Sequence, residues 1–204
     1  MKIRYNAPVI LTFSLASLAI FIVSRVIPEE TYYSLFTVPG NNMPFNFFSL
    51  SSLRLVSYVL GHASWEHLIG NLSFILLIGP VLEEKYGSGR ILIMILLTAL
   101  VTGVFNVLFL SGPSLGASGI VFMLVLLISF TNVKKGEIPL TLIAVIAVFV
   151  TKEVFNMFQP NNINEEAHLV GGLCGGIFGF FFAREKKKFK ESKAMPQDDL
   201  TVKW

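Results

Sequence analysis

The apolar residues of this chain fall in long runs that are hydrophobic all round: Pro8–Ile27, His67–Leu82, Ile91–Leu110, Ala117–Val133, Pro139–Phe158 and Ala167–Ala183. A helix needs about 17–25 mostly apolar residues to cross the hydrocarbon layer, and these runs approach or meet that length. Because no water is available there to satisfy backbone N–H and C=O groups, each run predicts a helix. The pattern therefore predicts an all-α membrane protein, a bundle of six transmembrane helices. The first run follows Lys2 and Arg4, as a signal peptide would. It is long for the apolar part of one and ends without a small-x-small cleavage site, so it predicts a retained helix. Pro28 to Glu66 behaves differently. Its Phe45, Phe47, Phe48, Leu50, Leu53, Leu55 and Val56 are interspersed with Pro, Asn and Ser. Too broken to cross, it predicts an outer loop lying in the interface.

Charge fixes the orientation. Hydrophobic residues make up 53% of the chain and charged ones 14%, which excludes a soluble core as the destination of so much apolar surface. With six crossings, Lys2 and Arg4, Lys85 and Arg90, Lys134 and Lys135, and the run Arg184–Lys190 all fall on one side. Arg54 alone sits clearly in an opposite loop, while Arg25 and Lys152 lie near or within helix ends, where long side chains snorkel. Cytoplasmic loops collect Lys and Arg, so both termini are expected in the cytoplasm of a multi-pass cell-membrane protein. The net charge of +3 comes from this topological pattern, and nothing in it forms the basic face of a nucleic-acid binder. The chain divides into an N-terminus, 1–7, a membrane domain, 8–183, and a basic tail, 184–204, that suits an anionic lipid surface. Cys174 is the single cysteine, so no intrachain disulfide or cysteine-based metal cluster is expected, and no cofactor is implied.

Ionisable and polar groups inside spans are costly, by about 2.5–3.5 kcal/mol at the bilayer centre for a charge, so those present point to function. His67 and Asn71 are four apart and share one face of the second span, with His62 just before it. Ser118 sits between Gly116 and Gly119 at the start of the fourth span, and His168 opens the sixth. Under one topology all of them lie at outer span ends, so they are placed to share one water-accessible pocket. A serine hydroxyl is a weak nucleophile that needs an adjacent base, and an imidazole titrating near neutrality suits that task. Attack on an amide creates an oxyanion, for which Asn71, His67 and the N–H groups at a helix start are donors. Gly116 and Gly119 would clear space for a substrate backbone. Gly171, Gly175 and Gly179 form a small-xxx-small face that would bring the sixth span close to the fourth, and His168 to Ser118. Phe122, one turn after Ser118, is placed to form a face for the imidazole or to fill core.

These residues resemble the rhomboid family of intramembrane serine proteases, in its six-span bacterial form. Gly116-Ala117-Ser118-Gly119 resembles the family's GxSG nucleophile motif. Ala167-His168 with Gly171 and Gly175 resembles its AHxxGxxxG base helix. His62-Ala63-Ser64-Trp65-Glu66-His67-Leu68-Ile69-Gly70-Asn71 resembles its HxxxxHxxxN element, and the three occur in the family's order. The resemblance implies a Ser118–His168 dyad without an acidic third member. It further implies that His67, Asn71 and the Ser118 N–H stabilise the oxyanion, that His62, Gly116, Gly119 and Phe122 support the site, and that Glu83 is structural. Arg54 resembles the arginine of a Trp-Arg pair whose tryptophan is here Leu53, and Phe122 stands where some relatives carry tyrosine. The implied activity is hydrolysis of a peptide bond in or near the transmembrane segment of single-span membrane proteins, with the lipid bilayer as the other partner and without a metal. The competing expectation, a non-catalytic rhomboid-like protein that binds membrane helices, calls for loss of the Ser or the His. A transporter would more often show two matching halves, and none is evident.

Overall fold

In the computed structural model, residues 4–130, 137–157 and 165–193 are described. Lys134, Lys135 and the end of the tail therefore lie outside the described residues. Apart from isolated bridge residues, the described regular structure is helical. Helices stand at all six places where apolar runs occur: α1 (Pro8–Val23), α4 (Trp65–Tyr86), α5 (Ser88–Phe109), α6 (Ser118–Ser129), α7 (Leu140–Met157) and α8 (Glu165–Lys193). Two of them, α4 and α5, are each long and apolar enough over 22 residues to cross a membrane unaided. Helix α6, with 12 residues, is only about 18 Å long against a hydrocarbon layer of about 30 Å. Ser118 is its first residue.

The segment between α1 and α4 folds into α2 (Glu29–Phe36), a 3-10 turn Leu50–Leu53, α3 (Arg54–Ser57) and a second 3-10 turn Tyr58–Leu60. Phe47, Phe48, Leu50 and Leu53 are exposed, as an interfacial loop requires, but Leu55, Tyr58 and Val59 are buried in the core. The loop is therefore only partly an interfacial element. Its inner half is nailed to α5: a Cβ on Gly103 would lie 2.6 Å from the Leu55 carbonyl oxygen, and the Tyr58 hydroxyl meets Thr102 Oγ1 at 2.5 Å and donates to Ala99 O at 3.3 Å. Arg54 Nε donates to Thr37 O at 2.6 Å, while Leu53, in the place of the expected tryptophan, points outward.

Helix α1 runs antiparallel to α4, and both of its ends are pinned. At one end Phe21 meets Trp65 edge-on at 4.7 Å between ring centroids. At the other, α1 begins at Ala7 with no side-chain cap of its own. The Glu83 carboxylate supplies one from α4, accepting from Val9 N–H at 3.0 Å and Ile10 N–H at 2.9 Å. A negative group belongs at a helix N-terminus, where unpaired N–H groups and the helix dipole meet. Gly79, one turn earlier, makes room for Ile10, whose Cδ1 would be 2.6 Å from a Cβ there. Glu83→Ala strands two N–H groups at a site with 3% exposure, so it is expected to cost about 2–4 kcal/mol. Cleavage per folded molecule should be retained, because Glu83 lies at the end of α4 remote from His67. Denaturation in detergent beside a rate assay checks both halves.

Candidate active site

The N-terminal ends of α4, α6 and α8 converge. Contact between α6 and α8 is backbone to backbone: a Cβ on Gly171 would overlap Gly119, one on Gly175 would overlap Met123, and one on Gly179 would lie 2.6 Å from the Phe130 side chain. The small-xxx-small face does what its pattern predicts. It brings His168 Nε2 to 2.8 Å from Ser118 Oγ. Phe122 stacks on the imidazole, with centroids 4.8 Å apart and planes at 15°, and Phe149 of α7 packs edge-on behind it. The ring is held by a face as well as by its hydrogen bond.

The two glycines near Ser118 have different surroundings. Gly116 has φ +120°, a conformation that L side chains rarely adopt, and a Cβ there would lie 2.6 Å from His67 Cε1 and Nε2. The vacant space is filled by the His67 ring. A Cβ on Gly119 would make only ordinary contacts of 3.6–3.8 Å with Thr102 and Ala167, so the close approach of the two backbones there depends on Gly171.

Asn71 is oriented by His62. The His62 imidazole, with 1% exposure, lies with Nδ1 at 3.2 Å from Leu60 O and Nε2 at 3.1 Å from Asn71 Nδ2. A carbonyl can only accept, so Nδ1 carries the proton and donates to Leu60 O, which leaves Nε2 to accept from the Asn71 amino group. One Asn71 N–H is thereby used and the second remains for the cavity. Burial, reinforced by neighbouring His67, pulls His62 down to about 4, which keeps the ring neutral and its tautomer fixed. The His62 backbone is clamped in turn: Tyr32 Oη donates to His62 O at 3.0 Å and accepts from His62 N–H at 2.7 Å. Ser64 caps α4 by accepting from His67 N–H at 3.2 Å.

Five hydrogen bonds that the sequence motifs do not announce hold the segment leading into Ser118. Val38 and Ser114 exchange two backbone bonds of 2.9 Å, Gly116 N–H donates to Tyr58 O at 2.9 Å, and buried Asn106 donates to Pro39 O at 2.9 Å and to Gly112 O at 3.1 Å. The Gly116 amide is thus already engaged, and the N–H of Ser118, at the first position of α6, is the backbone donor beside the nucleophile. A signal for part of this was present in the sequence. Thr98, Thr102 and Asn106 recur every fourth residue along the apolar third span, a polar stripe on one helical face.

A cavity of about 740 Å³ joins these groups, lined by His67, Asn71, Ser118, Phe122 and His168, by Pro113 to Leu115, and by Val148 and Phe149 of α7. Its α4 wall also includes Glu66, Gly70 and Phe74. Glycine inside a helix costs about 0.5–1 kcal/mol relative to alanine, yet a Cβ on Gly70 would meet nothing within 4 Å. Among the described residues no group of three or more His, Cys, Asp or Glu side chains is arranged to hold a metal.

The Rhomboid domain family model matches residues 50–185. The putative rhomboid protease YdcA of Bacillus subtilis (strain 168) is 32% identical over 141 residues, which cover 66% of this chain and 69% of that protein. Rhomboid protease GluP of the same strain is 29% identical over 127 residues, 61% of this chain and 25% of GluP. Rhomboid protease GlpG of Yersinia enterocolitica is 25% identical over 186 residues, 89% of this chain and 65% of GlpG. The chain thus spans about a quarter of GluP and just under two thirds of this GlpG.

Proposed function

Because the chain belongs to the rhomboid family, we propose that it is an intramembrane serine protease in which Ser118 is the nucleophile and His168 the general base. The observation that carries this reading is the 2.8 Å approach of Ser118 Oγ and His168 Nε2, in one cavity with His67 and Asn71. Ser118 Oγ attacks the substrate carbonyl carbon while its proton passes to His168 Nε2. The oxygen, now negative, faces the Ser118 N–H, the second Asn71 N–H and His67. The C–N bond then breaks as His168 returns the proton to the leaving amine. Water, activated by the same imidazole, hydrolyses the acyl-enzyme. A non-catalytic helix-binding role finds less support, since both members of the dyad are present and in contact.

The substrates are membrane proteins, and we read them as single-span proteins cut near the outer face. Six spans with both termini cytoplasmic, a membrane domain over 8–183 and flanking segments 1–7 and 184–204 fit the positions of the basic residues and the common end at which α4, α6 and α8 begin. A peptide bond in an intact helix is shielded, so the substrate must unwind to reach a recessed Ser118. Helix-weakening residues next to a small residue at the cut should favour cleavage. The test incubates purified protein with a single-span substrate, labels it with a fluorophosphonate and maps both sites by mass spectrometry. Cuts near the outer membrane face and adduct at Ser118 support the reading, whereas cuts confined to distant soluble loops, or label elsewhere, overturn it.

Asn71→Ala removes one oxyanion donor and is expected to lower kcat by about 10²–10³, with KM little changed. Asn71→Asp, which keeps the shape but presents no donor, should fall as far. Retention of wild-type kcat in both variants would reduce Asn71 to a packing residue.

A further inference from the structure

The α4 wall of the cavity carries three residues that neither the dyad nor the oxyanion donors require. Glu66, Gly70 and Phe74 are spaced i, i+4, i+8, so they lie one above another on a single helical face, and all three line the cavity and are exposed. The buried face of α4, with Leu68, Asn71 and Ile75, is a different one. Nothing in the fold accounts for Gly70: its backbone is helical, and a Cβ would touch no neighbour. A glycine that packs against nothing inside the protein, yet faces the reacting cavity, leaves space for something that enters from outside. Glu66 caps the stripe at the outer end. Its carboxylate interacts with its own N–H and with Ser64, and among the described residues it faces no cation. Phe74 closes the stripe on the membrane side.

Resting on the protease reading, we infer that this stripe is a specificity subsite for a Lys or Arg side chain of the substrate. The aliphatic stem lies along the bare backbone at Gly70 and against the Phe74 ring, and the cationic head meets the Glu66 carboxylate at the outer rim. The fit is that of a snorkelling side chain, apolar along its length and charged at its tip. A carboxylate at a cavity mouth with low-dielectric walls favours a cation there and disfavours an anion. The subsite thus selects membrane proteins with a basic residue flanking the cleaved bond.

The test walks a single residue, Lys, Met or Glu in turn, through the positions flanking the cut in a single-span substrate and measures kcat/KM with the wild type, Glu66→Lys and Gly70→Leu. With the wild type, one position should prefer Lys over Glu by about two- to fivefold, the worth of an exposed ion pair, and the preference should shrink as salt is raised. Glu66→Lys should reverse the preference at that position and at no other. Gly70→Leu should erase the advantage of Lys over Met there, while melting no lower than the wild type. A Lys-to-Glu ratio that is the same in wild type and Glu66→Lys at every position overturns the subsite while leaving the protease reading intact. Cleavage that persists unchanged in Ser118→Ala overturns the protease reading and the subsite with it.

Discussion

Ser118→Ala and His168→Ala are each expected to lower kcat/KM by about 10⁴-fold or more, and the double variant should be no slower than the worse single one. The reason is mutual dependence. An alcohol with no base within reach keeps its proton at neutral pH, and an imidazole with no nucleophile to deprotonate has nothing to do. With Oγ and Nε2 at 2.8 Å, the proton has a direct path, so removal of either atom ends the same step. Neither side chain carries the fold, because Ser118 and His168 are only half-buried and α6 and α8 are joined by their glycines rather than by this bond. Thermal denaturation in detergent should therefore move by no more than about 1 kcal/mol, the worth of one ordinary hydrogen bond. Initial rates on a single-span substrate, set beside melting curves, separate the two effects. Additive losses in the double variant would mean that Ser118 and His168 do not act as one unit.

How much of this was legible follows from the range over which each interaction acts. Helices at the six apolar runs were readable because hydrocarbon length and backbone satisfaction are local demands, met within one segment. The pairing of Ser118 with His168 was readable because the sixth run carries glycines at every fourth position, a face that can serve only close approach. Contacts between loops were not readable. The Val38–Ser114 exchange and the Gly116–Tyr58 bond join main-chain groups, which every residue has, so no side chain announces them. What surrounds Gly116 was hidden for a similar reason. Sequence shows that a side chain is absent, but only the fold shows that the space at Gly116 is taken by His67, whereas that at Gly119 is bounded by ordinary contacts. Leu55 and Val56 look interfacial among their aromatic neighbours, but Gly103 admits the backbone at Leu55 and buries it against α5.

Gly171→Val is expected to lower cleavage by about 10²-fold or more, though the residue touches no substrate. A Cβ at 171 would overlap the Gly119 backbone, and backbone atoms do not move aside as the tip of a long side chain does. Valine adds two further methyl groups on a stiff, β-branched side chain, so α8 must shift away from α6. A displacement of about 1 Å lengthens a 2.8 Å hydrogen bond beyond useful range, and misplacement on that scale costs about 10²-fold or more in rate even where the groups survive. Overpacking of this kind is also destabilising, by about 1–3 kcal/mol. Loss of activity alone is thus ambiguous, and a neighbouring position resolves it. A Cβ on Gly172 would make only an ordinary 3.7 Å contact with Leu126, so Gly172→Ala places a methyl group on the same helix without driving α8 off α6. Gly172→Ala should keep at least about a third of the wild-type rate and melt at or above the wild-type temperature, since alanine is the better helix former. Gly171→Val should retain its helix content but fail to label with a fluorophosphonate, because Ser118 has lost its base. Normal labelling and turnover in Gly171→Val would show that α6 and α8 need not touch for His168 to reach Ser118, and close glycine packing would no longer explain how the dyad is assembled.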